Sequence, residues 1–151
     1  MLALADALEL NRFAVLGVSG GGPYALACGA LAPERVTAVR VAAGIGPWRA
    51  GSVHLWAADM REALMSYDGY ARDNLAWGGD WDLDLAALES PTWLWYGDQD
   101  RLVPADHGRW LHQRIASSTL VIRPGCGHGR AVFPSWDDML TTLRRAVLAG
   151  V

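Results

Sequence analysis

Four short apolar runs, separated by helix-like stretches, constrain this chain more than any other feature. They are Phe13 to Val18, Val36 to Ala43, Thr92 to Tyr96 and Thr119 to Arg123. Strands that alternate with helices predict an α/β architecture on a parallel sheet. A glycine cluster follows the first run. The helix after it should begin near Pro23 and reach Leu31, with Pro33 as its stop. Alanine and glycine within it allow close packing on a sheet. Ala43-Gly44-Ile45-Gly46-Pro47 breaks the second strand. Ser90-Pro91 introduces the third strand, and Pro104 to Ile115 reads as a helix. Pro124-Gly125 stops the fourth strand. The last helix should run from about Trp136 to Leu148. Ser135 and Asp138 are spaced as its capping box. Trp136, Met139, Leu140, Leu143 and Val147 make its buried stripe.

Residues 48 to 80 differ in character. Val53, Trp56, Ala57, Met60 and Leu64 fall at helical spacing. We read this stretch as a small lid or cap insertion over the sheet, within one domain spanning 1–151. The chain is 52% hydrophobic and 19% charged, which excludes a disordered segment. No run of 18 apolar residues supports a membrane span. A net charge of −3 argues against a nucleic-acid partner. Cys28 and Cys126 form neither a zinc motif nor a disulfide framework. No metal or cofactor is indicated. Asp6, Glu9 and the lack of a basic start argue against a secretory signal, so a soluble, cytoplasmic protein is expected.

Three pieces carry chemistry. The first strand ends in Gly17-Val18-Ser19-Gly20-Gly21, the G-x-S-x-G pattern between a strand and a helix. A serine at such a sharp turn projects its hydroxyl away from the sheet. Glycines two positions to either side relieve clashes as the chain folds back. The Gly20 amide falls at the helix start, where unpaired N–H groups and the helix dipole favour negative charge. With 17 glycines in the chain the bare pattern is weak, and a plain turn with Ser19 capping the helix is the alternative. The second piece, Gly97-Asp98-Gln99-Asp100, follows the third strand. The third, Gly125-Cys126-Gly127-His128-Gly129, follows the fourth. Singly, Asp100 reads equally as a turn residue or a partner of Arg101. A lone loop histidine is more often structural. Jointly, Ser, Asp and His follow successive strands, where α/β sheets place functional groups.

On these residues the chain resembles the α/β-hydrolase family, from Asn11 to about Leu148. The resemblance implies a three-layer αβα fold with a mostly parallel sheet. It implies Ser19 as nucleophile, Asp100 as acid, His128 as base and the Gly20 N–H as an oxyanion donor. Asp98 is the rival acid, and the family spacing favours Asp100. His54, His107 and His112 lack the glycine-loop setting and read as surface or structural. Cys28 reads as a small core residue. Cys126 has no elbow to make it a nucleophile. A serine at position 19 also weighs against dehalogenase or epoxide hydrolase chemistry, where relatives usually carry aspartate.

The chain departs from the family in its start. Only Met1 to Val18 precede Ser19, enough for one partial helix, Leu2 to Leu10, and one strand. The fold would be a truncated hydrolase fold lacking the early strands. The family's second oxyanion donor, from the loop after its third strand, has no counterpart here. Phe13 to Val18 becomes an apolar edge strand, open to a homo-oligomer contact or to a missing N-terminal half. The expected activity is hydrolysis of a small carboxylic ester or related acyl bond. Carbon–carbon hydrolysis, acyl transfer or cofactor-free perhydrolysis use the same triad. An inactive assembly module is the remaining alternative. Trp48, Trp56, Trp77 and Trp81 suit an apolar substrate group, or simply packing on the sheet.

Overall fold

The structure, a computed structural model, describes residues 1–46, 72, 75–79 and 81–149. A short helix, α1 (Leu2–Ala7), leads into β1 (Phe13–Val18), α2 (Gly21–Leu31) and β2 (Val36–Ala42). After the stretch that contains the expected insertion come β3 (Thr92–Gly97), α3 (Ala105–His112) and β4 (Ser118–Arg123). Two helices close the chain, α4 (His128–Val132) and α5 (Trp136–Ala149), joined by a 3₁₀ turn over Phe133–Ser135. The expected stripe Val53, Trp56, Ala57, Met60 and Leu64 lies outside the described residues, as do His54, Trp48 and Trp56.

The four strands form one parallel sheet in the order β1-β2-β3-β4. Sequence order and spatial order coincide, so each crossover is a simple step to the next strand. Right-handed crossovers then put their helices on one face. Indeed α2 and α3 share one core with Val15, Val39, Val41, Leu94 and Tyr96. Leu26, Leu94 and Leu111 are fully buried there, each contributing about 1.5–3 kcal/mol by transfer from water. That arrangement alone would leave the other face bare. The chain covers it by turning back after β4. α4 packs over β3, and α5 over β2 and β1. Three layers result, as the family resemblance implies.

The second face is built differently. Arg40 of β2, only 1% exposed, points into it. Its guanidinium lies 4.6 Å from the Trp95 ring centroid and 5.6 Å from that of Trp93. It donates to the carbonyls of Asp138 (3.2 Å) and Met139 (2.9 Å) in α5. Burial lowers its pKa to about 10, still charged at neutral pH. An arginine in a strand interior docks α5 here through its planar fork and the aromatic faces.

Element boundaries differ from the sequence reading in instructive ways. α2 starts at Gly21, not Pro23, because proline is tolerated within the first turn. α1 stops at Ala7 and α3 at His112, both shorter than expected. The capping box is not formed: Ser135 sits in the 3₁₀ turn with its Oγ buried and without a hydrogen bond. In α5, Met139 and Leu143 are buried, but Trp136 and Leu140 are exposed. The stripe is covered only where β1 and β2 lie beneath it.

Candidate active site

All three candidate side chains follow the C-terminal ends of parallel strands, so they share one edge of the sheet. Ser19 follows β1 directly and has φ of +53°. Few non-glycine residues adopt this left-handed conformation, and its cost is of order 1–3 kcal/mol. Neighbouring backbone holds it. The Ser19 amide donates to Ala42 O (2.9 Å), and its carbonyl accepts from Gly22 N (3.0 Å) and Ile45 N (3.2 Å). Ser19 is not the helix cap. Gly20 holds that position, and no side chain caps α2. Among the described residues the Gly20 amide has no acceptor.

The glycines divide by need. A Cβ on Gly17 would run into the Gly21 carbonyl and lie 2.8 Å from Ala25 Cβ, so β1 and α2 meet only because residue 17 is glycine. A Cβ on Gly21 would meet nothing within 4 Å. The expected steric role of the second motif glycine therefore falls to Gly22, whose Cβ would lie 2.8 Å from Gly44 Cα.

Asp100 and His128 are joined. His128 Nδ1 lies 2.7 Å from Asp100 Oδ2. The Asp100 side chain has no exposed surface, while that of His128 retains 23%. The other carboxylate oxygen accepts the amides of Leu102 and Val103, both at 2.9 Å. Asp100 is thus no partner of Arg101. Asp98, the rival acid, is exposed. The two loops are pinned by backbone: Asp98 N donates to Arg123 O (3.1 Å) and Gln99 N to Cys126 O (3.0 Å). A Cβ on Gly97 would strike the Cys126 carbonyl, so this contact too requires glycine.

His128 is not in the loop itself. It opens α4, with Gly127 as N-cap. The loop 124–127 sets the imidazole at the start of α4, which then packs back over β3. The sequence reading missed this helix. Among the described residues no hydrogen bond joins Ser19 Oγ to His128. Nucleophile–base contacts of this kind are often long until substrate is bound.

Trp77 lies against the turn: a Cβ on Gly20 would fall 2.5 Å from its indole. Trp81 packs edge-on to Trp110 (6.5 Å between centroids) and donates to Trp77 O (3.2 Å). His112 bonds Ser118 Oγ (2.8 Å) on the surface, whereas His107 is buried and accepts from Gly46 N (2.8 Å). Cys28 is half-buried beside the core, its Sγ 3.5 Å from Met1 Sδ. No cluster of three metal-ligating side chains occurs among the described residues. No described helix is long and apolar enough to cross a membrane.

No protein-family profile matches the chain, and no curated protein does. Solved structures do. An α/β hydrolase fold protein from Nakamurella multipartita superposes with a TM-score of 0.74 at 21% identity, over 99% of this chain and 74% of that one. The chain has the α/β-hydrolase fold. A serine hydrolase involved in carbazole degradation (CarC) matches with a TM-score of 0.63 at 22% identity, over 97% of this chain and 69% of its own. A meta-cleavage product hydrolase (CumD) from Pseudomonas fluorescens IP01 matches at 0.59 and 19% identity, over 98% of this chain and 66% of that one. Within the hydrolase fold, the strand-to-helix turn at Ser19 and the loops bearing Asp100 and His128 occupy one end of the sheet. Tyr96 and His107 are the residues at this end that the motifs leave unannounced.

Proposed function

We propose that this chain is a serine hydrolase that cleaves a carboxylic ester or related acyl bond. The observation that carries the reading is the bond between half-exposed His128 and buried Asp100. An ionised carboxylate only accepts, so it fixes the proton on Nδ1 and leaves Nε2 as the base. A serine in the left-handed turn of a hydrolase fold is the group such a base serves.

In the proposed cycle Ser19 Oγ attacks the acyl carbon as His128 Nε2 takes its proton. Negative charge gathers on the substrate oxygen, near the Gly20 N–H and the start of α2. Collapse expels the alcohol, which recovers the proton from His128. Water, activated by the same imidazole, then releases the acid and restores Ser19. Asp100 keeps the ring oriented and stabilises the imidazolium throughout. No step draws on a metal or cofactor.

Carbon–carbon bond hydrolysis is the second reading. It is favoured by the likeness to CumD, a meta-cleavage product hydrolase, and uses the same three side chains. A fluorophosphonate probe tests the shared part: it should modify Ser19 alone, and Ser19→Ala should abolish labelling and turnover of a short nitrophenyl ester. Folded protein that takes up no probe would exclude both readings. Product analysis with an ester and with a vinylogous diketone separates them.

A further inference from the structure

The residues after β2 form a short buried strap, Ala43 to Gly46. Nothing in the catalytic scheme uses it, yet it is held from three sides. Toward the serine turn, Ile45 N donates to Ser19 O (3.2 Å), and Gly44 lies against Gly22. From β3, Ala43 N donates to Trp95 O (2.6 Å), and Tyr96 Oη donates to Gly44 O (2.8 Å). From α3, His107 Nδ1 accepts from Gly46 N (2.8 Å). Ala43 itself has φ of +48°, so the strap, like Ser19, is kept in an unfavourable backbone state by its surroundings.

The two outer partners sit on the acid side of the site. Tyr96 is four residues before Asp100, and His107 is seven after it. Both are buried, at 0% and 7% exposure. The strap therefore bridges the element that presents the acid and the turn that presents the nucleophile. No hydrogen bond from Asp100 or His128 reaches the Ser19 turn among the described residues, so beyond the β1–β2–β3 ladder the strap is a second hydrogen-bonded connection between the two parts.

We propose that His107 is a positioning residue, which through the Gly46 amide and the strap holds the Ser19 turn in register with the Asp100–His128 pair. Tyr96 assists from the adjacent strand. The proposal rests on the serine-hydrolase reading for its activity readout, but not for its structural one. The chemistry specifies the ring state. Only a neutral imidazole with a free lone pair on Nδ1 accepts from the Gly46 amide, so the ring proton is on Nε2. That is the opposite tautomer to the one proposed for His128. Desolvation by burial favours the neutral ring, against the Gly46 backbone contact and the nearby carboxylates Asp106 and Asp100.

The test compares His107→Leu, which removes the acceptor, with His107→Asn, whose Oδ1 can accept in place of Nδ1. Tyr96→Phe removes the donor to Gly44 and is run alongside. Fluorophosphonate labelling of Ser19 should slow by roughly tenfold or more in His107→Leu, the scale of one lost buried hydrogen bond. His107→Asn should recover most of that rate. Amide hydrogen exchange supplies the second readout: Gly46 and Ile45 should exchange at least roughly tenfold faster in His107→Leu, with Leu102 and Val103 unchanged. Wild-type labelling with no slowing in a folded Leu variant, or an Asn variant no better than Leu, would overturn the proposal. If wild-type protein takes up no probe, the hydrolase reading fails. The exchange pattern at Gly46 and Ile45 still decides whether His107 holds the strap.

Discussion

The acid–base pair and the serine turn reach the same edge of the sheet by opposite means. Asp100 and His128 come from the adjacent strands β3 and β4, and short backbone hydrogen bonds lock their loops together. Neither residue has a left-handed backbone. Ser19 stands at the other side, on β1, which has a strand partner on one side only among the described residues. Its backbone is left-handed, and it is restrained from β2 and the strap. The pair is therefore a local product of two neighbouring loops. The turn is a product of packing, in which Gly17, Gly22 and Gly44 let three backbone segments approach closely. Precision in the first case comes from polar contacts, and in the second from the absence of side chains.

That contrast can be broken by substitution. The largest effect is expected for Asp100→Asn. Oδ1 can keep the Leu102 and Val103 amides, while Nδ2 now donates toward His128 Nδ1 and imposes the wrong tautomer. Ester turnover should fall about 10⁴-fold, with the thermal midpoint little changed. A loss under tenfold in steady-state assays would deny Asp100 its role.

Gly17→Ala tests the other half. Its Cβ has no room against Gly21 and Ala25, so either β1 or α2 must shift, at about 1–3 kcal/mol. Urea unfolding should show the loss, and labelling of Ser19 should fall with it. Full stability with unchanged labelling would mean that the turn has slack, and the contrast with the pair would lapse.

The pH dependence of stability gives a smaller effect. Burial lowers the His107 pKa from its usual value near 6.5, chiefly by desolvation. The unfolded chain then binds a proton at higher pH than the folded one does. Stability from this group is complete above about 6.5 and declines as pH falls below it, down to the folded-state pKa. Comparing urea midpoints at pH 7 and pH 5.5 should show the wild type losing more than His107→Leu. Equal losses would remove His107 from the account.

The smallest change is Gly21→Ala. Open space surrounds that Cβ, and the residue begins α2. Stability should rise by about 0.4–1 kcal/mol, because the unfolded chain loses freedom. A decrease, read from the same urea curves, would show that both motif glycines are sterically required.

Much of this was legible beforehand. The four apolar runs matched β1 to β4 within one residue at each end, because strands buried on both faces need continuous hydrophobic side chains. Asp100 was separable from Asp98 only through the family spacing; in the structure Asp100 is buried and bonds His128, whereas Asp98 is exposed. Other features had no local signal. A five-residue helix such as α4 is too short for periodicity to reveal. Ser135 and Asp138 have the right spacing for a cap, but a 3₁₀ turn at Phe133–Ser135 removes the geometry. Arg40 has no local signal for its role, since its aromatic and carbonyl partners come from β3 and α5.

The sequence by itself determined the element order, the parallel sheet and the strand ends that carry Ser19, Asp100 and His128. Those follow from hydrophobic runs and turn residues, whose preferences act over a few neighbours. Tertiary structure decided that α4 opens at His128 and packs back over β3, and which glycines are needed. It also decided that His107 and Tyr96 meet the strap after β2. These outcomes depend on contacts between residues tens of positions apart, such as His107 with Gly46 and Tyr96 with Gly44. A buried donor or acceptor finds its partner only when the strands and helices have packed, and no spacing along the chain specifies that partner in advance.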